Sequence, residues 1–197
     1  MLTGLPEATI HYGWLDLPES SSQCFEKALR DLAIWLSEPP ICALISIDCI
    51  PRPWLDAVYR AWHNASDVVC AVADLTYMAA ESQVNMPRLV VGCTNQHPFA
   101  QKAVAHVPWA LWGARCGCFA LCYNCDNPYS VWHETLHTLG AKDCYDDDKP
   151  EELNCNCPGC LMQYAPDEQT VGQSPRLCEA NQKRVREKIK EIQAEQG

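Results

Sequence analysis

WHETLHTLGAKDC, residues 132–144, decides how this chain is read. It sets His133 and His137 four residues apart, with Glu134 between them and Gly140 three residues after the second histidine. On an α-helix, positions i and i+4 lie one above the other. Both imidazoles can therefore reach one metal ion, with the Glu134 carboxylate beside it. Each part has its own chemistry to supply. Two neutral imidazoles hold zinc, zinc lowers the pKa of a bound water towards ~7, and a carboxylate takes that water's proton. The plainer alternative is a satisfied structural histidine pair. The flanking residues favour the helix that the metal reading needs. Asn127 and Pro128 form an N-cap and first-turn signal, Leu136 and Leu139 make an apolar face with Val131 or Trp132, and Gly140 stands where a left-handed residue ends a helix.

A glycine that turns the chain just past the helix can bring a third ligand back three residues later, the spacing HExxHxxGxx(H/D). That position is Asp143, a carboxylate where histidine is more usual. Cys144, Asp146, Asp147 and Asp148 compete with it. Further on, CLMQYAP at 160–166 supplies Met162 and Tyr164. Cys157 to Cys160 is a CPGC knuckle, a spacing that lets two thiolates share one tetrahedral metal.

Gly140 and Cys144, then Cys160 with Met162, then Cys178 before a charged helix, together resemble the archaemetzincins over about residues 132–190. The resemblance implies a zincin-like fold of the α/β (α+β) class. Its parts would be a twisted mixed β-sheet with helices, an active-site helix, and a C-terminal lobe with a methionine turn and a helix. It implies one catalytic domain over 1–197, with an upper lobe of about 1–140 and a lower lobe of about 141–197. The implied activity is zinc-dependent hydrolysis of peptide or protein substrates. His133, His137 and Asp143 would hold the catalytic Zn2+, Glu134 would be the general base, and Met162 would form the methionine turn. Four cysteines would hold a second, structural Zn2+.

Two departures bear on that second site. Asn181 stands where the family has the second cysteine of a CxxC after Cys178, and fifteen residues separate Cys144 from Cys160 where the family has a short gap. A displaced set of Cys144, Cys157, Cys160 and Cys178 could rebuild the site, with Cys155 either unpaired or in the place of Cys157. Met162 followed by Tyr164 is similar to the MxY of astacin-like and serralysin-like metzincins. Tyr164 is thus a candidate transition-state stabiliser, against an ordinary packed aromatic.

A chain of 197 residues with 48% hydrophobic content can bury a sizeable core. A net charge of −10 argues against nucleic acid or anionic membrane as partner, since both attract basic surfaces. Residues 1–17 carry neither a basic start nor an unbroken apolar run, so they read as neither signal peptide nor membrane span. Fourteen cysteines would suit a secreted disulfide framework if a leader preceded them. Metal binding and the family resembled point instead to the cytoplasm. A reading from another class is a zinc-stabilised binding protein without activity, suggested by Asp143, the bulky Leu136 and the inserted cysteines. Glu134 argues against it, because a structural zinc has no use for that carboxylate.

The remaining chain reads as framework. A strand is expected around 8–12, then a helix from a Ser20–Ser22 cap to Ser37 that buries Phe25, Ala28, Leu29, Leu32 and Leu36. Strands follow at 41–50, 68–77 and 88–94, with a helix from Pro53 after the first. The segment 104–112, broken by Pro108, reads either as an edge strand beside the cleft or as a Trp-rich loop. Cys116, Cys118, Cys122 and Cys125 read as core thiols on or near a strand rather than a third metal site or a disulfide. The acidic run 143–152 reads as a solvated loop. The segment 176–197 reads as a charged helix with a Glu179–Lys183 pair.

Overall fold

The computed structural model describes residues 4–15, 17–49, 89–94, 105–106, 118–122, 126–145, 155, 157–163, 166, 168–172 and 175–196. The helix expected from Pro53, the strand expected at 68–77, most of 104–112, Cys116, Cys125, Asp146–Asp148 and Tyr164 lie outside them.

Strand β1 (Glu7–Leu15) is longer than its apolar pattern suggests, because it lies between two partners. It pairs in parallel with β2 (Leu44–Cys49) on one side and with β3 (Leu89–Thr94) on the other, so that His11 sits opposite both Asp48 and Val90. A parallel pair needs a crossover, and helix α1 (Glu19–Ser37) supplies it between β1 and β2. Next in space comes β5 (Cys118–Cys122), parallel to β3, and at the edge lies β4 (Ala105–His106), antiparallel to β5. The sheet is therefore mixed, in the order β2-β1-β3-β5-β4. Leu89, Val90 and Val91 are buried in succession, as expected of a central parallel strand covered on both faces.

Helix α1 buries Phe25, Ala28, Leu29, Leu32 and Leu36, the face its spacing predicts. Its start differs from the expected serine cap. The helix begins at Glu19 after Pro18, and the Ser22 hydroxyl turns back to donate to the Glu19 carbonyl at 2.9 Å. Helix α2 (Pro128–Thr138) packs against α1 and β5, and the Trp132 indole N–H donates to the Ala28 carbonyl at 2.8 Å. After the short α3 (Glu168–Val171), helix α4 (Glu179–Gln196) returns to pack on β1 through a stripe that includes Val185, Ile189 and Ile192. On its outer side Lys183 pairs with Glu187 at 3.8 Å rather than with Glu179, since either carboxylate lies one turn away. Buried residues of the sheet, α1, α2 and α4 belong to one apolar cluster. No described helix is long and apolar enough to cross a membrane.

Candidate metal centres

Helix α2 begins as its sequence predicts. The Asn127 side chain accepts from the backbone N–H groups of Tyr129 and Ser130 at 3.0 and 3.4 Å, and its own amide donates to the Pro166 carbonyl at 3.0 Å. Pro128 follows at the first helical position. The helix is buried almost all round, and its threonine hydroxyls are satisfied within it: Thr135 donates to the Val131 carbonyl and Thr138 to that of Thr135, each at 2.6 Å.

The far end is a Schellman turn. Gly140 takes φ = 87°, its N–H donates to the His137 carbonyl at 2.9 Å, and the Ala141 N–H reaches back to Leu136 at 3.0 Å. The chain reverses there and carries Asp143 back towards the histidines. Its Oδ1 lies 3.2 Å from the Nε2 of His133 and 3.2 Å from the Nε2 of His137, and the two Nε2 atoms are themselves 3.2 Å apart.

The outer nitrogens fix the tautomers. His133 Nδ1 lies 2.8 Å from the Leu161 carbonyl, and His137 Nδ1 lies 2.9 Å from the Ala141 carbonyl. A carbonyl can only accept, so each Nδ1 carries the hydrogen and each Nε2 presents a lone pair inward. With both imidazoles neutral, two lone pairs and a carboxylate oxygen face one another. Repulsion would part them unless a shared proton or a metal cation sat at their focus. Ligands about 2.0–2.1 Å from a tetrahedral zinc lie roughly 3.3 Å apart, which fits these separations. The donor set therefore suits zinc, and carbonyl partners on the second imidazole nitrogens are what histidine ligands usually have.

Electrostatics follow the same geometry. Burial works to raise the Asp143 carboxyl, but hydrogen bonds from His133 and His137 outweigh it and hold the group well below the usual carboxylate range. Burial lowers His133, and bonding to Asp143, the Glu134 charge and the Leu161 carbonyl together raise it. A proton shared there does in the metal-free site what a cation would do. Glu134, 9% exposed, has its Oε1 3.9 Å from His133 Nε2, so it borders the donor set without joining it. Burial raises its pKa, against the pull of the two histidines.

A second group gathers Cys144, Cys155, Cys160 and Cys178, whose sulfurs all lie within 4.8 Å of one another. Cys144 Sγ is 3.6 Å from Cys178 Sγ and 3.7 Å from Cys160 Sγ. These gaps are too long for disulfides, and they approach the ~3.8 Å edge of a tetrahedral thiolate site with zinc–sulfur distances of about 2.3 Å. The fourth sulfur is that of Cys155, not Cys157 as the knuckle spacing suggests. Cys157 closes a turn, its carbonyl accepting the Cys160 N–H at 3.1 Å, with Pro158 and Gly159 (φ = 73°) at its corners. The Cys157 N–H in turn supports the Cys155 sulfur, which reaches Cys144 and Cys160. The Cys157 sulfur meets only the margin of the group, at Cys160; burial and the neighbouring Cys160 and Cys155 charges push it up to about 11. Cys160 is brought down to about 5 by the Cys144 hydrogen bond, against burial and with help from backbone N–H groups of Met162 and Cys178.

Between the two groups lies the turn 160–163. Met162 is fully buried and its carbonyl accepts the Cys144 N–H at 2.7 Å, while the Leu161 carbonyl serves His133. The backbone carbonyls of Leu161 and Ala141 carry no sequence signal. Asn181 reads in the sequence only as a missing cysteine; it is 1% exposed and bonded to Lys142 and Cys144.

No protein-family model matches the sequence, and no curated protein matches it either. Among solved structures, the fold is similar to that of metalloproteinase-II from Bacteroides fragilis, with a TM-score of 0.57 and 14% identity. That match covers 95% of this chain and 54% of the other, so the chain spans about half the length of the Bacteroides protein. Archaemetzincin from Methanopyrus kandleri matches with a TM-score of 0.48 and 15% identity, over 95% of this chain and 98% of that one. The mixed α/β fold expected from the sequence is the fold found, and at these identities the likeness is one of fold.

Proposed function

We propose that this chain is a zinc-dependent metallopeptidase, with His133, His137 and Asp143 as ligands of the catalytic zinc and Glu134 as general base. One observation carries the reading: two imidazole nitrogens and a carboxylate oxygen, each 3.2 Å from the others, converge beside a buried carboxylate. When bound, zinc supplies an acidified water and a Lewis acid for the scissile carbonyl. Glu134 handles the proton. Burial raises its pKa above that of an ordinary glutamate, the direction that suits a group which takes a proton from water and returns it to the leaving amine. His133 and His137 are held by carbonyls that engage their Nδ1 hydrogens, which keeps both Nε2 lone pairs aimed inward. Peptide or protein is the proposed substrate, in keeping with the metalloproteinase named among chains of similar fold.

Cys144, Cys155, Cys160 and Cys178 are proposed to hold a second zinc. Four thiolates close a tetrahedral ion and leave no position for substrate, so its role is structural. Met162 is proposed as the floor between the two ions, the part a methionine turn would play.

Elemental analysis of the native protein, beside His137→Ala and Cys160→Ala, tests both sites. Two zincs per chain are expected, with each variant losing one. A peptide library should be cleaved by the native chain and at least about a hundredfold more slowly by Glu134→Gln, which keeps its metal. Two zincs without cleavage of any peptide would favour the inactive, zinc-stabilised binding protein instead.

A further inference from the structure

Asp143 and Cys144 are consecutive, yet their side chains enter different donor sets. Asp143 Oδ1 faces the two imidazoles, and Cys144 Sγ faces Cys160 and Cys178. A single peptide unit therefore joins the two centres, and whatever fixes that unit fixes a ligand of each.

Asn181, in the first turn of α4, is the side chain that does so. Its Oδ1 accepts the Lys142 N–H at 2.9 Å and its amide donates to the Lys142 carbonyl at 2.7 Å, a two-point clasp on the residue before Asp143. The same amide nitrogen lies 3.4 Å from the Sγ of Cys144, the residue after Asp143. Arg184 Nη1 donates to the Asn181 oxygen at 3.0 Å and orients the amide, so the nitrogen faces the sulfur. Only a side chain with both a donor and an acceptor can make this set of bonds. A carboxylate would set a lone pair against the Lys142 carbonyl and a charge against the thiolates. On the far side, the Cys144 N–H is held by the Met162 carbonyl at 2.7 Å, so the loop 142–144 is gripped from two directions.

We propose that Asn181 is a positioning residue through which the cysteine cluster and the histidine–aspartate site are coupled, so that metal in either raises the affinity of the other. Filling the cluster pins Cys144, the clasp transmits the constraint to Lys142, and Asp143 between them is left in place for the second ion. The coupling rests on the metallopeptidase reading, with metal in both sites. Linkage makes it reciprocal, with a factor of about ten typical for such effects.

Cobalt(II) is the probe, added to the metal-free full chain. Thiolate-to-cobalt charge transfer in the near ultraviolet reports the cysteine cluster, and weaker visible bands report the histidine site. In the otherwise native chain, Cys160→Ala should weaken cobalt binding at the histidine site about tenfold, and His137→Ala should weaken the cluster by the same factor. In an Asn181→Asp background, both factors should fall below about twofold. Asn181→Ala, which removes donor and acceptor together, is read the same way, with circular dichroism establishing that the variants fold. Unchanged factors in a folded Asn181 variant, or none in the native chain, overturn the coupling alone. Failure of the native chain to bind cobalt at the histidines overturns the peptidase reading and this inference with it.

Discussion

Glu134 is the residue at which burial and chemistry meet. Its carboxyl has a higher pKa in the folded protein than an ordinary glutamate, chiefly through burial. A group raised in this way favours folding below its unfolded value, near ~4.3, and loses that contribution as pH rises through the folded value. In protein stripped of its histidine-site metal, Glu134→Gln removes the buried charge. The difference in melting temperature, variant minus native, should therefore grow as pH rises above about 4. A flat difference would mean that the carboxylate is solvated in the metal-free protein. With the cation restored, the favourable charge pairing returns and the variant should lose its advantage. The lone pairs of His133 and His137 are organised more simply. Each ring is turned by one backbone carbonyl, and no side chain is needed to choose the tautomer.

Two turns place the ligands at the level of elements. The first, at Gly140, ends α2 and reverses the chain; a Cβ there would lie 3.4 Å from Lys188 Cβ on α4, ordinary contact, so its demand is conformational. The second, at Gly159, is tighter. A Cβ would lie 2.8 Å from the Val171 carbonyl oxygen in a left-handed backbone (φ = 73°). Gly172 shares the left-handed conformation, but nothing lies within 4 Å of its Cβ position. Gly159→Ala should therefore cost about 1–3 kcal/mol, several degrees in melting temperature, and more than Gly172→Ala. Equal losses measured by thermal unfolding would show that the turn relaxes away from Val171. These turns are legible in the sequence because glycine and proline act locally. So are the Asn127 cap and the i, i+4 histidines. The choice of Cys155 over Cys157 is not, since spacing alone cannot say which sulfur a tertiary loop turns inward. Nor is Asn181, whose partners lie thirty-seven and thirty-nine positions away. The carbonyls of Leu161 and Ala141 are beyond reach for another reason: every residue has one.

The whole molecule draws its strands into a pattern that local reading only partly reveals. Apolar runs indicate β2 and β3, but not that β1 lies between them, because strand order is decided by which faces bury each other. The cysteines sort by place as well. The four of the cluster form no disulfide, while Cys93 on β3 is disulfide-bonded. Denatured, metal-chelated protein should accordingly titrate at least two thiols short of the fourteen in its sequence. A full count of fourteen would exclude that bond. The packing of α4 on β1 has a consequence for biosynthesis. Strand β1 leaves the ribosome well before the helix that packs on it, and before Cys178 just ahead of that helix. The side of β1 that α4 covers must therefore wait for residues 179–196 to be made, and metal capture by the complete cysteine set cannot precede the synthesis of Cys178.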